Sequence, residues 1–376
     1  MQKTGEQICF YSDASEWGGQ EILSARMANS LRGIFKDIFF FYSCPQFSKV
    51  LDENIQKVPL PFSASTPFPI LRDRSVKKRK AVEFLFKKYR VKNLVICPGN
   101  IERCLPAVFA ASRQGIRIVS YYPMAYSQQE TGAVFGRLRD FLAKQIYPKI
   151  SEWVVITRSQ ERLLRRFIPK DVPVHILPNP YGGEISEKVH TPQFPLRIGS
   201  VGRIYFAQKG QDAIPQMAQS LKRRKFPFSF QVFGDGPDAE KLRAQIQKKG
   251  VEKEVFLHGW IPGAELRKKL ENEIDIVLIS SHFEGDPMIL YEALGCGVPL
   301  LVSRADYMQE YGLPDWMLYD SKDPEDSLRK LEAYPHALDP KEFRKVRTRL
   351  FKGRSDRDFC ERAQKIFTDI FNGERA

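Results

Sequence analysis

The chain reads as an α/β protein of two Rossmann-like domains, on three observations. Short apolar runs of strand type alternate with stretches of helical period, the alternation occurs twice, and a segment rich in Pro and Gly (residues 179–196) separates the two series. With 376 residues, each half is long enough to bury its own core. Strands alternating with helices imply parallel sheets with right-handed crossovers. Open sheets of this kind bind ligands beyond the carboxyl ends of their strands, so the expected architecture is two domains facing across a cleft, residues 1–185 and 191–355.

The first series opens with QICFYSD (7–13), and the glycine-rich loop EWGGQE (16–21) leads into a helix over about 19–31. KDIFFFYS (36–43) is the next strand. NLVICPG (93–99), a helix near 106–114, IRIVSYY (116–122), a helical stretch over 135–147 and WVVIT (153–157) follow. The second series has strands at LRIGSVG (196–202), FSFQVFG (228–234), VFLHG (255–259) and IDIVLISS (274–281). Helices over about 209–225, 237–249 and 264–272 lie between them. SDRDFCERAQKIFTDIF (355–371) is a last helix with Ser355 as its cap.

Composition narrows the class. Hydrophobic residues make up 43% of the chain, and no apolar run is long enough to span a bilayer. The N-terminal residues enter a strand without the apolar core of a signal peptide, and the six cysteines are scattered with no CxxC pair. Reduced thiols in a cytoplasmic protein are expected. The net charge of +14 is uneven: residues 1–190 carry 29 basic against 17 acidic side chains, and the rest 30 against 28. The excess concentrates in RDRSVKKRKAVEFLFKKYRVKN (72–93), where Val82, Leu85, Phe86 and Tyr89 recur at helical spacing beside Lys77, Lys78, Arg79 and Lys80. Two readings fit that segment. One is a helix lying on an anionic membrane surface with its aromatics in the interface; the other is a helix with a packed apolar stripe and a solvated basic face.

The strongest site signal is HFEGDPMILYEALGCGVPL (282–300). Glu284 falls on the loop after a strand, and Glu292 lies inside the following helix. Asp286 is a candidate N-cap, with Pro287 at the first helical position. Between the two glutamates a helix N-terminus offers free N–H groups to an anion. Carboxylates flanking an anion site suit a ligand with hydroxyls at both ends and phosphates in the middle, which is the layout of a nucleotide sugar. VGRIYFAQKG (201–210) adds Arg203 after a strand and Lys209 at a helix start, two cations placed to neutralise a diphosphate. It is not a Walker A loop, because the lysine precedes its last glycine and no Ser/Thr follows. Gly18 and Gly19 lack the GxGxxG spacing, so their expected use is backbone N–H contact with a phosphate or acceptor. The five histidines are dispersed, none precedes His175, and neither HExxH nor CxxC is present. Asp356 and Asp358 are explained by the dipole of the helix they open, and no metal is expected.

In combination, VGRIYFAQKG, VFGDGP, VFLHGWIP and the 274–303 run resemble the family 4 glycosyltransferases of the GT-B fold over about residues 196–304. The first half is similar more loosely, through the GGQE loop and ILPNPYGG (176–183). The resemblance implies two facing Rossmann-like domains, with residues 356–376 forming a C-terminal helix that returns to the first domain. It implies that Arg203 and Lys209 bind the donor diphosphate and that Glu284 holds sugar hydroxyls, assisted by the backbone of Gly285, Met288 and Ile289. Glu292 would take the ribose. Gly202 would join the donor site, and the strand ends near Gly234 and at Gly259, Trp260 and Ile261 would frame the base. The chain departs from the family at Gly285-Asp286-Pro287, where Gly-Phe-Gly is common. It departs again at SYYPM (120–124), where Tyr122 stands at the position of a histidine near the sugar.

The implied chemistry is metal-independent transfer of a hexose, with retention, from a UDP-sugar to a glycan or lipid-linked acceptor. UDP-glucose is the expected donor and the cytosolic membrane face the expected place. The alternatives are another donor such as GDP-mannose, a UDP-sugar epimerase, or an anionic-polymer module in the basic half. No RRM, KH or helix-turn-helix signature supports nucleic acid as a partner.

Overall fold

The computed structural model describes residues 4–65 and 68–372. They form two compact units. One holds the described residues up to Pro180 together with those from Asp356 onward, and the other is Tyr181–Ser355. Residues 181–185, assigned to the first domain by sequence, lie in the second.

The first unit is built on a seven-stranded sheet in the order β3-β2-β1-β4-β5-β6-β7, every pair parallel. Its strands are β1 (Thr4–Ser12), β2 (Phe35–Tyr42), β3 (Gln56–Pro59), β4 (Asn93–Ile96), β5 (Arg117–Tyr121), β6 (Glu152–Val155) and β7 (Val174–Ile176). Both faces are covered, which is why the strands read as continuous apolar runs. One face packs against Val82, Phe86, Ala107 and Val108. The other receives helix Gly19–Ser30 and the last helix, Asp356–Asn372, through Phe359, Ala363, Phe367 and Phe371. That last helix is bound by polar ties as well: Gln364 Nε2 donates to Ser30 O at 2.8 Å, and Arg26 pairs with Asp356 at 3.0 Å.

The second unit carries a six-stranded parallel sheet, ordered β10-β9-β8-β11-β12-β13. These are β8 (Leu196–Val201), β9 (Phe228–Phe233), β10 (Val255–Gly259), β11 (Ile276–Ile279), β12 (Leu300–Ser303) and β13 (Leu318–Tyr319). The helix expected over 209–225 is broken. A single turn, Phe206–Lys209, ends at Gly210 in the left-handed region (φ +63°), and Ile214–Arg223 starts afresh with Pro215 in its first turn. Lys209 therefore closes a short helix instead of opening a long one.

The basic helix is Val76–Lys88. Val82 and Phe86 are in the core, with Leu85 and Tyr89 packed against it, so the apolar stripe is not available to a membrane. Lys78 and Arg79 are engaged within the fold: Lys78 donates to Asp73 Oδ1 at 2.5 Å and to Ser63 O at 2.8 Å, and Arg79 donates to Glu83 at 3.2 Å. Lys77 and Lys80 are the exposed pair. No helix among the described residues is long and apolar enough to cross a membrane.

Candidate active site

In the second sheet the strand order reverses between β8 and β11, so the crevice at a switch point lies between the segments that leave those two strands. The segments are laced together. Ser280 Oγ donates to Lys209 O at 2.7 Å, and the His282 N–H donates to Gln208 O at 2.8 Å. The approach is so close that a Cβ on Gly210 would lie 2.4 Å from Ser280 O. Alongside, the Gly202 N–H donates to Phe233 O at 2.9 Å and the Gly234 N–H to Gly259 O at 2.7 Å. A Cβ on Gly234 would meet Gly202 O at 1.9 Å. Glycine here is thus a condition for three strand ends to form one floor.

Over that floor runs Lys209. Its Nζ lies 2.5 Å from Glu284 Oε1 and passes over Gly202. Glu284 is buried; Ser281 Oγ donates to the same Oε1 at 2.7 Å, and Gln208 Nε2 reaches Oε2 at 3.4 Å. Glu292 sits on helix Met288–Gly295, half-buried. Burial pushes its carboxyl above the usual range, and the charge of Lys209 pulls it back. One lysine thus stands in the field of two carboxylates, one on a loop and one on a helix.

Asp286 is not an N-cap. Pro287 occupies that position, with no side-chain cap bond. The Asp286 carboxylate instead accepts from Tyr291 at 2.8 Å, Tyr311 at 2.7 Å and Arg354 at 2.5 Å, and the Arg354 guanidinium lies 4.3 Å from the centre of the Tyr291 ring. Burial, reinforced by the Asp286 charge, holds both phenols well above their ordinary range. Three hydrogen bonds to one carboxylate outweigh a single cap bond. The Arg354 carbonyl in turn accepts the Tyr181 N–H at 2.6 Å, so the loop bearing Glu284 is anchored to both ends of its unit.

The other expected donor residues gather at the same edge. Arg203 is exposed directly after Gly202, and its carbonyl accepts from Gln211 Nε2 at 2.9 Å. Gly285, Pro287 and Ile289 are buried, and Met288 is partly so. Trp260 is 74% exposed after Gly259, whereas Ile261 packs on the core. His258 stacks on Phe233 at 4.7 Å and meets Gln231 Oε1 at 2.7 Å, a structural role.

Two first-unit expectations need correction. Tyr122 is 0% exposed, with its ring 5.3 Å from Trp153 inside the core, so it cannot touch a surface-bound sugar. The Gly18 N–H is taken by Glu21 Oε2 at 3.0 Å as the cap of helix Gly19–Ser30 and is not free for a phosphate. The group at the first sheet's own switch point, between β1 and β4, is Asp13. Its Oδ1 accepts the Cys104 N–H at 3.1 Å, while its buried Oδ2 has no hydrogen-bond partner. A lone acid at the end of an apolar strand, in YSD, was the available signal for it.

Burial pushes the Asp13 carboxyl up to about 6. The folded protein therefore keeps a proton that the unfolded chain releases near about pH 4, and stability falls as pH rises from there through the folded value. Asp13→Asn is expected to raise stability by about 3 kcal/mol at neutral pH, with the gain vanishing as pH falls to about 4. Melting curves across that window test this; a gain independent of pH would reject ionisation as its cause.

Residues 183–336 match the family described as glycosyl transferases group 1. The chain is 34% identical over 105 residues to a lipopolysaccharide 1,6-galactosyltransferase of Salmonella typhimurium, an alignment spanning 27% of this chain and 28% of that protein. It is 26% identical over 305 residues to the lipopolysaccharide 1,6-galactosyltransferase of Escherichia coli, covering 78% of this chain and 79% of the relative. Among solved structures, Anabaena HepE in complex with UDP-glucose superposes with a TM-score of 0.71 at 13% identity, over 96% of this chain and 99% of that one. The two-sheet GT-B architecture expected from the sequence is present.

Proposed function

We propose, from the match of residues 183–336 to the glycosyl transferases group 1 family, that the chain moves a hexose from a UDP-sugar to a glycan or lipid-linked acceptor, with retention and without a metal. The observation that carries this reading is Lys209 poised between Glu284 and Glu292 at a sheet's switch point. The donor diphosphate takes the place of Glu284 as the partner of Lys209, and Arg203 adds a second cation. The carboxylate released by that exchange turns to the sugar hydroxyls. Glu292 accepts the ribose hydroxyls, and the N–H groups at the start of helix Met288–Gly295 face the phosphates. Charge developing on the leaving diphosphate is met by cations already in place. The bond from the anomeric carbon to the diphosphate breaks as the acceptor oxygen bonds on the same face, and a leaving phosphate oxygen takes the acceptor's proton.

The reading leaves Tyr122 out of the acceptor side, and it places the reaction at the cytosolic membrane face. UDP-glucose is the donor expected from the sequence. The names of the two relatives bring in UDP-galactose, so the test carries both. Melting temperatures are measured with UDP, GDP, ADP and their sugars, with and without magnesium. UDP and one UDP-hexose are expected to stabilise by about 2.7 kcal/mol at about 100 times Kd, with or without the metal. Stabilisation by GDP alone, or by no nucleotide, would reject the reading.

Glu292→Gln is expected to weaken UDP binding about tenfold through the loss of a charge-assisted bond to the ribose. The ligand-free protein should not lose stability, because burial already disfavours this charge. Titration calorimetry decides, and an unchanged UDP affinity would move the ribose contact elsewhere.

A further inference from the structure

Leu138 and Phe141 lie three residues apart on helix Gly136–Ala143, Val134 and Phe135 lead into it, and all four are exposed, Phe135 by 69% and Phe141 by 62%. Large apolar side chains clustered this way on a surface mark an interaction site. The opposite face of the helix is the packed one: Ala143 is buried and Leu142 rests on the core. The patch extends onto the short helix Pro69–Arg72, which touches the first, with Leu71 56% exposed and the Phe68 ring 6.2 Å from that of Phe135. A recess of about 440 Å³ at its edge is lined by Gln129, Gly132, Phe135, Arg137 and Leu138.

The exposed charged side chains on residues 134–144 are basic. Arg137 and Lys144 are exposed beside the patch. The nearby acids are engaged within the fold: Asp140 accepts the N–H groups of Gln128 and Gln129 at 2.7 and 3.1 Å, Glu102 pairs with Arg139, Glu130 with Arg166 at 2.6 Å, and Asp73 with Lys78 at 2.5 Å. An aromatic face rimmed by cations, in the half of the chain that carries the basic excess, complements an apolar layer beneath anionic headgroups. A second copy of the chain would bring the same cations against it. The contributing segments follow β3 and β5, leaving the sheet from the carboxyl ends where Asp13 also lies.

We infer that the face formed by Phe68–Leu71 and Val134–Phe141 docks on an anionic lipid bilayer, inserting Phe135, Leu138 and Phe141 among the headgroups. This deepens the membrane-face reading above and moves its contact from the Lys77–Lys80 run to a different surface. The test is co-sedimentation of the full chain with vesicles of phosphatidylcholine, alone or mixed with phosphatidylglycerol. No donor or acceptor is present, and UDP-induced melting shifts are measured separately, so a failed donor assignment and a failed docking face are told apart. Wild type should bind the mixed vesicles and not the neutral ones. The pair Phe135→Ser and Phe141→Ser should weaken binding at least tenfold, the order expected for withdrawing two aromatic side chains from an apolar layer. Arg137→Gln with Lys144→Gln should weaken it severalfold, more than Lys77→Gln with Lys80→Gln. Unchanged binding by the phenylalanine pair overturns the proposal. So does a wild-type dimer that this variant converts to monomer, because a second copy would then be the occupant.

Discussion

Replacing Lys209 with alanine is expected to lower kcat/KM by about a thousandfold, the scale seen when a preorganised charge stabiliser is removed. The reasoning rests on position. Lys209 is the cation above the glycine floor, within 2.5 Å of a buried carboxylate, and its side chain passes over Gly202. A diphosphate role makes a further distinction: the variant should bind UDP less tightly and uridine as well as wild type does. A purely structural partner of Glu284 would instead affect the melting temperature and leave that ratio alone. Full turnover in Lys209→Ala would end the diphosphate assignment.

The second large effect is on stability. Arg354→Ala leaves the Asp286 carboxylate buried without its guanidinium, and breaking a buried pair by removing one partner costs about 3 kcal/mol or more. For a unit of this size that is a fall of about 6–12 °C in melting temperature. UDP binding should weaken with it, because Asp286 is two residues from Glu284. Removing both charges together, Asp286→Leu with Arg354→Met, should restore most of the stability. Calorimetry on the three variants tests this, and an unchanged melting temperature for Arg354→Ala would show the pair to be dispensable.

Several of these features were legible in the sequence. The alternation of strands and helices, Glu284 on its loop and Glu292 within its helix are all consequences of local pattern. Asp286 was misread for the opposite reason. Its local signal, an acid before a proline at a helix start, is outweighed by Tyr311 and Arg354, which are 25 and 68 residues away along the chain. Tyr122 failed similarly: at the end of a strand covered on both faces, alternation does not say whether a phenol points to solvent or to Trp153. The helix over 209–225 carried its own break signals in Gly210 and Pro215, which went unused, and the approach of Ser280 O shows why position 210 has no room for a side chain. Two helices near the end of the second unit, Pro324–Ala337 and Pro340–Phe351, did announce themselves. Each opens on Asp-Pro, with the aspartate accepting a backbone N–H two residues on, and that signal went unused.

The last helix has a consequence for how the protein is made. The residues that cover part of one face of the first sheet, Phe359, Ala363, Phe367 and Phe371, leave the ribosome after the whole of the second unit, although the strands they cover precede that unit. Throughout translation of the second unit, Phe10, Phe40 and their neighbours have helix Gly19–Ser30 for cover, and the remainder of that face stays open to water or to a chaperone. The second unit, made from one continuous stretch, meets no such delay. The first unit is therefore begun before the second and completed after it, and the part of its sheet that helix Asp356–Asn372 covers is the surface exposed to aggregation in the interval.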